Sequence, residues 1–291
     1  MGLLTETESV PSRIRGLFSY LLTCTSAVNQ SDLEKTLSPE VLRDVNARPK
    51  KTIQEAKNLG LIKIEANQKI ALHDCVTKDT CDPKNIALTN QLLPSIITRL
   101  ALTNQDNTHN DDFGLAIAWV LTKSPLDKPI VWKGGADNEL TALNTHGSGH
   151  ALGINDVCFI NLIHWITYLG FARKEVVGQS DGIVPDPTIA VRAALKVMLP
   201  DKNIKNLSAI MKGLANILPV IDGGKYHLAL LQMYPKLAPK PEHVSKALSM
   251  AFLRLNAEGF IKLSNGADGQ EPKTLCVAGD GKIYNSIQRT I

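Results

Sequence analysis

The segment RDVNARPKKTIQEAKNLGLIKIEANQKIALHD, residues 43–74, decides how the rest of the chain is read. Pro49 suits the first turn of a helix, where its missing N–H would have no partner in any case. Thr52, Ile53, Ala56 and Leu59 recur at the helical period and give that helix an inner face. Gly60 ends it with a left-handed cap. The strand LIKIE follows, then the polar turn ANQK and a second strand IAL, a pattern that predicts a small antiparallel hairpin. A helix that stops at glycine and runs into a hairpin is the unit to seek elsewhere.

It recurs twice. NLGLIKI (58–64) is echoed by YLGFARK (168–174) and AEGFIKL (257–263). After Gly170 the hairpin reads ARKEVV, turn GQSD, GIVP; after Gly259 it reads FIKL, a longer turn SNGADGQEPK, then TLCV. Apolar helices lie upstream of each. For the first unit they span about 12–23, with Leu17, Phe18, Leu21 and Leu22 on one face, and from Asn29 or Gln30 to Leu37; Ser38-Pro39 then breaks the chain. Glu40–Val45 reads as one further helical turn. For the second unit the helices are DDFGLAIAWVLT, ADNELTALN and NDVCFINLIHWITYLG, with the loop THGSGHALG before the last. For the third, LSAIMKGLANIL, GKYHLALLQMY and PEHVSKALSMAFLRLNAEG take the same roles. Two pieces connect them: a helix over 85–102 interrupted at Pro94, and a helix over 187–199 begun by Pro187. The polar run LTNQDNTHNDD (102–112) is the linker. The expected fold is mostly α with small β-hairpins (α+β), as three tandem modules: 1–76, a helical connector and linker over 77–110, then 111–200 and 201–291.

Length and composition agree with several compact domains. The chain has 291 residues, 44% hydrophobic and 21% charged, as ordered globular proteins do. No window is apolar enough to span a bilayer, and MGLLTETESVPSR lacks the basic start and apolar core of a signal peptide. Glu6 stands where a myristoylation signal takes Ser or Thr. Five scattered cysteines, with no C-x-x-C pair, point to reduced thiols and a cytoplasmic location. The net charge of +4 is unevenly spread. Residues 1–76 carry 10 Lys/Arg against 9 Asp/Glu, residues 77–186 carry 8 against 12, and residues 187–291 carry 14 against 7. An acidic middle and a basic last third mean that only part of the chain faces a polyanion.

On these residues the segment Arg13–Asp74 resembles a winged helix-turn-helix domain, with AKNLGLIKI at the junction of recognition helix and first wing strand. The whole chain resembles tandem winged-helix proteins, and is similar to accessory proteins of bacterial defence islands encoded with deazaguanine DNA-modification systems. Tandem winged helices also resemble subunits of chromosome-condensing complexes and polymerase-associated factors, whose modules mainly bind proteins. The resemblance implies double-stranded DNA and other protein subunits as partners. The DNA contacts would come from Arg48, Lys50, Lys51, Gln54 and Lys57 on the third helix, from Lys63 and Lys69 in or beside the wing, and from Lys246 and Arg254 in the last module. His243, Ser245 and Ser249 lie on that same last helix. The middle module's third helix is apolar on nearly every side, which suits burial or a protein partner. The alternative reading is a protein–protein adaptor that does not touch DNA.

No residue pattern calls for a reaction, so a non-enzymatic role without cofactor, metal or small-molecule substrate is expected. His146 and His150 in HGSGH are spaced for a metal, but Gly147 and Gly149 favour a loop, and neither a general base nor a third ligand follows. His164 suits a core or interface position. Ser148 lacks the G-x-S-x-G frame, and WKGGAD has its lysine before the glycines, unlike a P-loop. Asp111, Asp112, Asp137 and Glu139 are spaced as helix caps and surface acids. At 5% aromatics the chain offers no stacking platform for single strands.

Overall fold

The computed structural model describes residues 2–5, 10–38, 47–65, 67–76, 86–103, 110–146, 152–240, 242–265 and 271–290. The expected turn Glu40–Val45, the middle of the 102–112 linker, and the HGSGH loop with the side chains of His146 and His150 lie outside them. The chain divides into two compact units, Met1–Asn110 and Asp111–Ile291. Helices and small antiparallel sheets make it α+β.

In the first unit α1 (Pro11–Thr23) opens on proline and buries Ile14, Leu17, Phe18, Leu21 and Leu22, one stripe at the helical period. Then come β1 (Val28–Asn29), α2 (Gln30–Leu37), α3 (Ala47–Asn58), β2 (Ile62–Ile64) and β3 (Lys69–Leu72). α3 turns Pro49, Thr52, Ile53 and Ala56 inward, packing on α1 and β2. The sheet order is β1-β3-β2, all antiparallel, with Val28 opposite Ile70 and Ile62 opposite Leu72. α4 (Ile86–Leu102) packs on α1 and continues through Pro94, where the sequence suggested an interruption.

The second unit repeats this order twice. First come α5 (Asp111–Leu121), β4 (Ile130–Val131), α6 (Asp137–His146), α7 (Asp156–Tyr168), β5 (Ala172–Val177) and β6 (Ser180–Pro185), with sheet order β4-β6-β5. Asn155 caps α7 by accepting the Cys158 N–H at 2.8 Å. Next come α8 (Thr188–Met198), β7 (Lys205–Asn206), α9 (Leu207–Ile217), α10 (Lys225–Met233), α11 (Lys246–Ala257), β8 (Ile261–Ser264), β9 (Lys273–Leu275), β10 (Lys282–Tyr284) and β11 (Ser286–Arg289). Here the sheet order is β7-β11-β8.

Two assignments made from sequence change in this last copy. The helix over 188–198, read as a connector, packs on α9 and α11 and takes the place of the first helix. LSAIMKGLANIL therefore stands second and α10 is an addition. TLCV is not the returning strand either: β9 pairs with β10 in a separate hairpin, and the polar strand SIQR closes the sheet, with Ile287 opposite Leu263. A stretch from 264 to 286 is long enough to fold back on itself before rejoining the sheet.

The three glycine junctions are built alike. Gly60, Gly170 and Gly259 have φ of 74°, 81° and 68°, the left-handed region that a side chain resists. Leu61, Phe171 and Phe260 each donate their N–H to the carbonyl five residues back, on Ala56, Ile166 and Leu255, at 2.9–3.0 Å. Each glycine donates to the carbonyl three back, on Lys57, Thr167 and Asn256. This pair of hydrogen bonds is the Schellman arrangement, and it turns the chain straight from helix into strand.

The second and third copies share a core. α10 lies on α5, and a Cβ at Gly114 would fall 2.6 Å from the Tyr226 ring, so glycine lets the helices meet. The Tyr226 hydroxyl donates to Asp111 at 2.9 Å, and Lys225 reaches the same carboxylate at 3.3 Å. The neighbouring His227 is buried, and its Nδ1 accepts the Gly223 N–H at 3.2 Å. Burial pushes its pKa below the usual 6.5, while the charge of Asp222 opposes the shift. The unfolded chain therefore binds this proton more readily than the folded one, and stability falls as pH drops below about 6.5. Thermal melts from pH 8 to 5 should show a lowered midpoint at the acid end, flatter in His227→Asn, whose side-chain oxygen can still accept from Gly223. Equal pH slopes in the two proteins would refute this.

Candidate nucleic-acid interface

α3 separates its faces cleanly. Arg48, Lys50, Lys51, Gln54 and Lys57 are exposed, while Glu55, the helix's own acid, is 2% exposed on the inner side. The outer stripe of α3 therefore holds cations and a carboxamide with no carboxylate among them. The Gln54 amide donates to Asn58 at 2.8 Å, which fixes its direction. Beyond the junction, Lys63 pairs with Asp74 at 2.8 Å, and that carboxylate raises its pKa. Lys69 is exposed on β3 opposite Asn29.

Counting back from the junction glycines shows how the copies differ. Arg48, Lys50, Lys51, Gln54 and Lys57 correspond to Cys158, Ile160, Asn161, His164 and Thr167 on α7, and to Ala247, Ser249, Met250, Leu253 and Asn256 on α11. No Lys or Arg occupies these positions outside the first copy. On α7 the exposed residues are Asp156, Val157, Ile160 and His164, with Val157 43% and Ile160 54% exposed. On α11 the added hairpin covers part of that face. Ser249 is fully buried and accepts the Cys276 N–H at 3.2 Å, while Thr274 is tied to Glu242 and Val244 by two backbone bonds of 3.0 Å.

The two bases expected from the last module are placed differently from one another. Lys246 is exposed at the first residue of α11. Arg254 corresponds to Glu55 and Trp165, both inward positions, and it is engaged within the protein by Asp186. Asp186 is 7% exposed and also takes Arg173 at 3.1 Å and the Thr188 hydroxyl at 2.5 Å. Sequence alone could not find this carboxylate, since 68 residues separate it from Arg254. A cation at the third residue after each junction glycine does recur, as Lys63, Arg173 and Lys262. Lys63 and Arg173 face acids, whereas Lys262 is exposed on β8.

Among the described residues no group of three or more His, Cys, Asp and Glu comes together as a metal site, and no helix is long and apolar enough to cross a membrane. One helix–sheet motif repeated three times, with a basic outer stripe on the first copy, defines the class of protein. The chain belongs to the DpdG-like family, whose profile matches residues 1–269; it is a gene family of defence-island deazaguanine modification. No curated protein and no solved structure is significantly similar to it.

Proposed function

We propose that this chain is a non-enzymatic, DNA-binding subunit of a deazaguanine DNA-modification complex, built from three winged-helix modules. The order helix, short strand, helix, helix, hairpin, with the early strand paired to the returning one, supports the winged-helix reading in the first two copies, and the third keeps the same sheet with an added helix and an added hairpin. One observation carries the DNA reading: the third helix of the first copy turns Arg48, Lys50, Lys51 and Lys57 outward with no acid among them. Such a helix can enter the major groove, its cations meeting phosphates and Arg48 or Gln54 reaching base edges. Lys69, from the wing, would add a backbone contact. The engagement of Arg254 by Asp186 moves the weight of the reading onto the first module.

Titration of the full chain with duplex DNA across a salt series tests this. Four or five phosphate contacts give a fall in log K against log salt with a slope of roughly −4. Absence of binding at low salt would refute it.

A second reading has its own support. The exposed Ile160 on α7 stands where α3 has Lys50, with the exposed Val157 beside it, and an apolar patch in that place suits a protein partner. On this reading the chain is an adaptor, with no affinity for DNA and with co-purifying subunits that resist nuclease treatment.

A further inference from the structure

Beyond β3 the chain turns through His73, Asp74 and Cys75, and Cys75 is exposed. Its Sγ lies 3.0 Å from Nδ1 of His73, and the same Nδ1 accepts the Cys75 backbone N–H at 3.3 Å. A nitrogen that accepts the backbone N–H carries no proton, so the ring proton sits on Nε2 and the Nδ1 lone pair faces the turn that holds the thiol. Arg99, from α4, donates to the Cys75 carbonyl at 3.1 Å and brings a permanent positive charge to the same residue. An imidazole nitrogen within reach of an exposed sulfur gives the thiol a base, and Arg99 holds the backbone that presents it. The other described cysteines are placed differently. Cys24 points at the Tyr20 carbonyl, Cys276 at the Gly279 carbonyl at 3.0 Å, and Cys158 is buried on α7.

We propose that Cys75 is a modification site, a nucleophilic thiol that reacts with hydroperoxides and uses His73 as its base. The thiol proton moves to Nδ1 and the sulfur attacks one peroxide oxygen. The S–O bond forms as the O–O bond breaks, and the departing hydroxide takes the proton back from His73 as water. Sulfur is oxidised to the sulfenic acid and the peroxide is reduced: one thiol and one hydrogen peroxide give one sulfenic acid and one water. The new oxygen would sit near the Gly60 carbonyl, which lies 3.9 Å from Sγ at the end of α3.

The test is to expose the full chain to hydrogen peroxide with dimedone as a sulfenic-acid trap and to follow each cysteine by peptide mass spectrometry. Glutathione in the same mixture serves as an unactivated exposed thiol. Cys75 should be trapped about tenfold faster than Cys24, Cys276 and glutathione. His73→Asn, which can accept a hydrogen bond but is no base at neutral pH, should remove most of that advantage and leave Cys276 unchanged. Trapping of Cys75 no faster than glutathione overturns the proposal, and so does an unchanged rate in a folded His73→Asn chain. Should that variant not fold, the comparison with glutathione decides alone. The readout does not depend on DNA binding, so this proposal and the preceding one can fail separately.

Discussion

Replacing Arg48, Lys50, Lys51 and Lys57 together by alanine is expected to lower duplex affinity about a hundredfold or more at low salt, and to flatten the salt slope by 3–4 units. Each cation that meets a phosphate releases close to one condensed counterion, so losing four contacts removes most of the salt-sensitive term. The fold should survive. All four side chains are exposed, while Pro49, Thr52, Ile53 and Ala56 hold α3 to the core from its other face. Alanine is also the best helix former, so the helix itself is not weakened. Fluorescence anisotropy with a labelled duplex, beside a thermal melt, measures both effects. An affinity within twofold of the parent, with an intact fold, would remove α3 as the contact surface. Gln54→Ala is expected to behave differently. It carries no charge, so the salt slope should stay constant, and any loss should depend on the DNA sequence.

Removing one carboxylate in the second unit should do most damage to stability. Asp186→Ala is expected to cost about 2–3 kcal/mol in urea unfolding, less than the roughly 3–5 typical of a fully buried pair because its arginines reach solvent. Arg173 is 51% exposed and Arg254 37% exposed, so each can partly rehydrate once unpaired. The loss is still large because Asp186 is one point joining three elements: β5 through Arg173, the start of α8 through Thr188, and α11 through Arg254. Asp186→Asn should lose less, since its oxygen can still accept from Thr188. Midpoints indistinguishable from the parent would mean that the arginines contribute no more than surface charges do.

What could be read beforehand follows the range of the interactions. The glycine junctions were legible because their signal is local: an apolar helix, a glycine and a β-rich run lie within a few residues of each other. The outward set on α3 was legible for the same reason, since Thr52, Ile53, Ala56 and Leu59 fix the helix's rotation. Val28–Asn29, Ile130–Val131 and Lys205–Asn206 carry no such signal. Two residues become a strand only because a returning strand pairs with them. SIQR has a single inward apolar residue, Ile287, and TLCV is the more apolar run, so only the pairing with Leu263 distinguishes the returning strand. Arg254 looked like a free base on a helix of the basic third; its rotation relative to the junction glycine puts it with Glu55 and Trp165. The deep burial of Glu55 was equally hidden, because a charged residue beside Ala56 reads as surface.

The long return from β8 to β11 has a consequence for the order in which the molecule can be made. On a ribosome the first sheet is complete once residue 72 has emerged, because β1, β2 and β3 lie within one short span. The third waits far longer: Asn206 on β7 has its partner at Ser286, eighty residues downstream. Until then β7 and β8 lack the strand between them, and Leu263 and Ile261 have no covering neighbour from β11. Loop closure over that distance is slow compared with local hairpin formation. The nascent chain would therefore carry a finished first sheet and two unsatisfied strand edges for the time it takes to synthesise the hairpin that precedes β11, the interval in which mispairing with another chain is most favoured.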